Sequence, residues 1–208
     1  MRYELYVVTD EELSHGLSHV EIARQAVAGG ADVIQLRDKK LPGRDLFRAA
    51  CDIRAVTARS GALFIVNDRL DVALASKADG VHIGQQDLPL SYVRPLAPSP
   101  FIIGVSVSSV EQAKEAEQEG ADYVAVSPVF STGSKQDAGH GPGLGLVRGI
   151  SDTVSIPVIG IGGIHTDNAG DVFAAGADGV AVISAVVSQP DITEAARAFK
   201  LRIRQFRP

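Results

Sequence analysis

The 208-residue chain predicts an α/β fold, a single (βα)8 TIM barrel with its active site at the C-terminal mouth of the strands. Three observations predict it. One phrase recurs four times, as Ala31-Asp32-Val33-Ile34-Gln35-Leu36-Arg37, Ala78-Asp79-Gly80-Val81-His82-Ile83-Gly84, Ala121-Asp122-Tyr123-Val124-Ala125-Val126-Ser127 and Ala177-Asp178-Gly179-Val180-Ala181-Val182-Ile183. Between and before these copies lie four more short apolar runs, which brings the strands to eight. Helical stretches separate the strands, so the units are parallel βαβ with right-handed crossovers and helices outside the sheet. An internal repeat of this kind sets the architecture on which every later motif is placed, and eight such units close into a barrel. The length is at the small end for such a barrel, which runs from roughly 200 to over 400 residues. One domain over residues 1–208 is therefore expected, with its loops carrying the function.

The elements follow in order. Tyr3 to Thr9 supplies the first strand, and Ser18 with Glu21 has the Ser-x-x-Glu spacing of a capped helix start. Gly29-Gly30 ends that helix, as Gly61, Gly120 and Gly176 end later ones, because glycine readily takes the left-handed cap conformation. The first copy of the repeat is the second strand. Cys51 follows in a helix with Leu46, Phe47, Ala49 and Ile53, where it reads as packing; it is the one cysteine, so no internal disulfide forms. Leu63-Phe64-Ile65-Val66 is the third strand, the second copy the fourth, and Ile102 to Val107 the fifth. Ser108 with Glu111 is read as the next capped start. The third copy, Pro157 to Ile161 and the fourth copy complete the set.

Alternation along the repeat assigns its faces. Ile34, Leu36, Val81, Ile83, Val124, Val126, Val180 and Val182 are branched aliphatics, suited to packing under helices. Gln35 and Arg37, His82 and Gly84, Ala125 and Ser127, Ala181 and Ile183 then point inward. His82 is read as a hydrogen-bonded core residue, level with Gln35. The last member of each pair falls at the mouth.

A net charge of −5 and a pI near 5.5 argue against a general nucleic-acid or membrane-surface binder. Met1-Arg2-Tyr3-Glu4 runs straight into a strand, and no stretch reaches the length of a signal segment or a membrane span. A cytoplasmic protein acting on small molecules is expected, and its oligomeric state stays open.

Four groups at the mouth carry chemistry. Gln35, Arg37 and Lys39 are spaced i, i+2, i+4, which puts them on one side of an extended chain. Two cations beside an amide suit a polyanion such as a diphosphate; the structural alternative is Arg37 paired with a lumen carboxylate. Asn67-Asp68 after the third strand and Asp87 after the fourth offer two carboxylates with no His-Cys cluster nearby, a set that fits Mg2+. Each aspartate also precedes a short helix and would serve as an N-cap. Thr132-Gly133-Ser134-Lys135 begins a long glycine-rich loop, read either as a functional lid or as a solvated connection. Gly162-Gly163 and Ser184 end the seventh and eighth strands, where such barrels hold a phosphate monoester and where a tight turn is the alternative.

Gln35-Leu36-Arg37-Asp38-Lys39, Asn67-Asp68-Arg69, Gly80 to Asp87, Gly104-Val105-Ser106, Pro128 to Lys135 and Ile161-Gly162-Gly163-Ile164 together resemble the thiamine phosphate synthase family, in order and over nearly the whole chain. The resemblance implies a Mg2+-dependent transferase. It would join a pyrimidine, carried as its diphosphate, to a thiazole phosphate, releasing diphosphate by a dissociative substitution. It also implies residue roles: Gln35, Arg37, Lys39, Asn67 and Lys135 hold the pyrimidine diphosphate, Asp68 and Asp87 its Mg2+, and Ser106 meets the pyrimidine. Thr132, Ser134, Gly163, Ile183 and Ser184 hold the thiazole phosphate, and Arg37, Lys39, Ser106 and Lys135 form the catalytic set. Ser127 departs from the family's glycine before Pro128, and Ser134 from its second threonine. The alternatives are a thiazole tautomerase-like isomerase, which needs no metal, and a non-catalytic phosphometabolite-binding barrel.

Overall fold

A computed structural model of the chain describes residues 3–131 and 143–206. Eight parallel strands hydrogen-bond in sequence order and close into a barrel, the eighth against the first. They are β1 (Leu5–Val8), β2 (Val33–Leu36), β3 (Leu63–Asn67), β4 (Gly80–Ile83), β5 (Ile102–Val107), β6 (Tyr123–Val126), β7 (Val158–Ile161) and β8 (Gly179–Val182). Around them lie α1 (His19–Ala28), α2 (Gly43–Ser60), α3 (Leu70–Ala75), α4 (Leu90–Leu96), α5 (Val110–Gln118), α6 (Gly143–Ser151), α7 (Ala169–Ala174), α8 (Ser184–Val187) and α9 (Ile192–Arg204). The expected (βα)8 barrel is the observed fold. Among the described residues no helix is long and apolar enough to cross a membrane.

Two apolar layers result from the alternation. All eight outward aliphatics of the repeat join one cluster under the helices, with Ile22, Leu46, Ile53 and Phe199. Burying each such side chain contributes about 1.5–3 kcal/mol, so this layer is the main store of stability. The second layer fills the lumen with Tyr3, Tyr6, Val8, Val33, Ile65, Ile102, Tyr123, Ile159 and Ile161. Gly104 makes room for it: a Cβ there would come within 2.0 Å of Tyr123 Cζ.

The aspartates of the repeat have a shared role that their spacing did not disclose. Asp32, Asp79, Asp122 and Asp178 each accept a hydrogen bond from the backbone N–H of Leu5, Phe64, Ile103 and Val158, at 2.8, 2.8, 2.7 and 3.0 Å. The N–H of each aspartate returns a bond to the carbonyl of that same residue. Every even strand thus clasps the start of the odd strand before it, at the end of the barrel away from the mouth. Cations pair with aspartates of these clasps, Lys200 with Asp32, Arg54 with Asp79 and Arg94 with Asp122.

Helix ends agree with the sequence in part. Ser18 caps α1 by accepting from the Glu21 N–H at 3.3 Å, and Gly30, Gly61, Gly120 and Gly176 all have positive φ. The α5 cap is one residue later than expected. Ser109 accepts from the Gln112 N–H at 3.2 Å, and the Gln112 side chain reaches back to Ser108. Glutamine here provides the return bond expected of Glu111, so the capping box is shifted in register rather than lost. Cys51 is half-buried on α2, beside rather than within the face formed by Leu46, Ala50, Ile53 and Thr57.

Candidate active site

The mouth of the barrel holds two adjoining cavities of about 580 Å³ each. Their shared wall is Ser127, Ile161 and Ala181. Gln35, Arg37, Lys39, Asn67, Asp68, Asp87 and Ser106 all line the first cavity. Gly163, Ile183 and Ser184 line the second, with Gly162, Ser131, His165 and Ser188. Thr132, Ser134 and Lys135 lie outside the described residues.

In the first cavity, positive and negative groups face one another from neighbouring strand ends. Asp68 follows β3 with φ +61°, a left-handed conformation that aspartate tolerates better than most residues. Its carboxyl lies beside that of Asp87. Burial, the bond to Asp87 and the charge of Asp87 push its pKa up to about 6, while Lys39 and Arg37 oppose the shift. Among the described residues neither cation forms an ion pair, so the structural reading of Arg37 does not hold here.

The helix-cap reading of the two aspartates also fails. The cap of α3 is Arg69 and that of α4 is Pro89, neither making a side-chain cap bond. Asp87 instead accepts from the Gly84 N–H at 2.7 Å, which folds the loop after β4 back on itself. Two neighbouring hard oxygen donors fit a small divalent cation, one that draws its other ligands from water and phosphate. Among the described residues no group of three or more His, Cys, Asp or Glu side chains gathers as a metal site, so these two carboxylates are a pair and not part of a larger cluster.

A clasp anchored on the buried Thr9 and His19 sets the loop that carries Arg37 and Lys39. Asp38 accepts from the N–H groups of Lys40 and Leu41 at 2.6 and 2.8 Å, and its other oxygen meets His19 Nε2 at 3.2 Å. His19 Nδ1 lies 2.8 Å from Thr9 Oγ1, which also accepts from the Arg37 N–H at 3.4 Å. Burial raises the Asp38 pKa, but those two N–H groups and His19 outweigh it, so the carboxyl stays below the usual carboxylate range. Thr9, His19 and Asp38 were missed in the sequence; the Asx-turn spacing of Asp38 to Lys40 is the one local signal for them.

Below this loop, side chains link across the lumen. The Gln35 amide donates to Tyr6 Oη at 2.8 Å, and Tyr6 Oη lies 2.9 Å from Tyr123 Oη. Tyr123 Oη is 3.0 Å from His82 Nδ1, and His82 Nε2 is 2.8 Å from Ser106 Oγ. His82 is thus the hydrogen-bonded lumen residue expected, although not level with Gln35. Gln35 pairs with Ile65, and Ile65 with Gly80, whereas His82 pairs with Asn67. Stagger between barrel strands displaces the rows, which spacing within one strand does not reveal.

Among the described residues the second cavity is lined by no Asp, Glu, Lys or Arg, and several of its lining residues are small. Gly162 and Gly163 have φ of +105° and +63°. A Cβ on Gly163 would come within 2.7 Å of the Ser131 carbonyl and 2.8 Å of Phe130 Cβ. The glycines are therefore required by the turn and by the close approach of the β6 loop, whatever occupies the cavity. A turn of bare glycines at a strand end is the kind of backbone that can present N–H groups to an anion.

Comparison with known proteins agrees with this arrangement. A family model described as thiamine monophosphate synthase matches residues 5–186. The chain is 61% identical to the thiamine-phosphate synthase of Methanoculleus marisnigri over 203 residues, 98% of this chain and 96% of that one. It is 61% identical to that of Methanocella arvoryzae over 207 residues, 100% and 98% of the two chains. The solved structure of thiamine phosphate pyrophosphorylase from Pyrococcus furiosus superposes with a TM-score of 0.92 at 43% identity, covering 99% of this chain and 98% of that one. With the repeat-built barrel and the paired cavities at its mouth, these likenesses establish that the chain belongs to the thiamine monophosphate synthase family and is a transferase.

Proposed function

We propose that this single-domain barrel couples a pyrimidine diphosphate to a thiazole phosphate, giving thiamine phosphate and diphosphate in a Mg2+-dependent reaction. The observation that carries this reading is the pair of equal cavities with a shared wall, one cationic with two carboxylates and one lined, among the described residues, by no Asp, Glu, Lys or Arg. The charged cavity takes the diphosphate and its pyrimidine, and the other the thiazole phosphate. The reacting carbon and the thiazole nitrogen then meet over Ser127, Ile161 and Ala181.

Mg2+ held by Asp68 and Asp87 would supply positive charge to the departing diphosphate. Arg37 and Lys39 neutralise the same leaving group, with Gln35, Asn67 and Lys135 orienting it. Ser106 holds the pyrimidine ring while positive charge develops on the carbon that loses diphosphate. Thr132, Ser134, Gly163, Ile183 and Ser184 hold the thiazole phosphate so that its nitrogen faces that carbon. The nitrogen is already a free lone pair, so no general base is needed, and the chain contributes positioning and charge neutralisation.

The deciding experiment mixes both substrates with and without Mg2+ and follows thiamine phosphate and released diphosphate. Coupling that needs Mg2+ supports the reading. Isomerisation of the thiazole phosphate without metal and without coupling overturns it in favour of a tautomerase, and tight binding without turnover in favour of a binding barrel.

A further inference from the structure

We propose that Tyr6, Tyr123 and His82 form a one-way hydrogen-bond relay that turns the Ser106 hydroxyl proton toward the substrate cavity, which makes all three positioning residues for the coupling reaction. The assignment rests on the coupling reading only for what Ser106 touches. The order of protons in the relay is a property of the protein alone.

The order follows from counting donors. The Gln35 amide nitrogen donates to Tyr6 Oη at 2.8 Å, so one acceptor site of that oxygen is filled. Tyr6 carries a single hydroxyl proton, and the acceptor within reach among the described residues is Tyr123 Oη at 2.9 Å. Tyr123 Oη, now accepting, directs its own proton to His82 Nδ1 at 3.0 Å. A neutral imidazole has one N–H, which is therefore on Nε2 and donates to Ser106 Oγ at 2.8 Å. The Ser106 proton is left for the cavity, which Ser106 lines. Reversing the Tyr6–Tyr123 link would leave the buried Tyr6 proton without an acceptor among the described residues, and placing the imidazole proton on Nδ1 would do the same to the Tyr123 proton, each at a cost of roughly 1–3 kcal/mol.

Two features hold the direction. Burial raises the pKa of both Tyr6 and Tyr123, so each remains a phenol with a proton to place. Packing fixes the rings: Tyr123 stacks on His82 at 5.6 Å and meets Tyr6 edge-on at 6.0 Å. The bare backbone of Gly104 leaves the space in which Tyr123 sits. The consequence is a specificity rule. Ser106 presents a donor, so the ring atom facing it is an acceptor, such as a ring nitrogen with a free lone pair.

The first test needs no substrate. In uniformly 15N-labelled protein near neutral pH, long-range proton–nitrogen correlation of His82 should show the proton on Nε2 and none on Nδ1. An Nδ1–H tautomer or an imidazolium overturns the relay, and this result stands whether or not the coupling reading survives. The second test is kinetic. Tyr123→Phe keeps the ring and deletes the hydroxyl; it should lower kcat about tenfold, the size of one lost neutral hydrogen bond, with KM for thiazole phosphate unchanged. In a Ser106→Ala background the same substitution should lower kcat no further, and Tyr6→Phe should behave likewise. A loss that persists without Ser106 means that the tyrosines act through packing, which overturns the proposal.

Discussion

The two cavities at the mouth have the same volume and opposite construction. The one near β2 to β4 is lined by charged and polar side chains, Arg37, Lys39, Asp68, Asp87 and Ser106 among them. The one near β7 and β8 has Gly162, Gly163 and Ser184 at strand ends and, among the described residues, no Asp, Glu, Lys or Arg in its lining. A diphosphate that must leave calls for strong, neutralising charge. A phosphate that only anchors its molecule is served by N–H groups at a turn. The contrast implies that the first cavity is sensitive to charge and the second to space.

The largest expected effect is on charge. Asp68→Asn keeps a residue that tolerates φ +61° and removes the carboxylate. Mg2+-dependent turnover should fall by about 10²–10³ or more, while the melting temperature stays nearly constant. Steady-state rates over a Mg2+ titration, with a thermal melt beside them, check both parts. Full activity in this variant would remove the carboxylate pair from the mechanism.

Space is the second lever. Gly163→Ala places a Cβ against Ser131 and Phe130 at a positive φ, which should cost about 1–3 kcal/mol of stability. It should raise KM for thiazole phosphate and leave KM for the pyrimidine diphosphate alone. Equal changes in both would mean that the cavities do not divide the substrates as proposed.

A smaller effect concerns pH. The Asp68 carboxyl is pushed up to about 6 in the folded chain, against about 4 when unfolded. Between those values the folded chain holds a proton that the unfolded chain lacks, so this group favours folding at lower pH and loses that contribution as pH rises through about 6. Metal must displace the proton, so added Mg2+ should raise the melting temperature more at about pH 7.5 than at about pH 5. Asp68→Asn should flatten that difference. The smallest effect is expected of Ser184→Ala, about two- to fivefold in KM for thiazole phosphate, since one neutral hydroxyl beside backbone donors contributes little.

Legibility in the sequence follows the same division. Arg37 and Lys39 stood out because strand alternation puts them on one side, and Asp68 and Asp87 because carboxylates at strand ends are unusual enough to question. The glycine pair was visible too, although its need for glycine comes from Phe130 and Ser131 as much as from any ligand. The clasp of Thr9, His19 and Asp38 and the relay from Gln35 to Ser106 were not visible. Their members come from different strands and helices, and nothing in local spacing says that they meet.

The sequence by itself determined the barrel, through a phrase repeated four times with intervening strands, and it determined which face of each repeat strand is uniformly aliphatic and packs under the helices. It also named the charged residues of the mouth. Only the tertiary structure decided that the repeat's aspartates clasp neighbouring strands, that His82 lies opposite Asn67, and that Ser106 sits at the end of a relay begun at Gln35. The physical reason is register. Alternation is a property of one strand, whereas hydrogen-bond partners across a barrel depend on the stagger between strands, which appears only when the sheet closes.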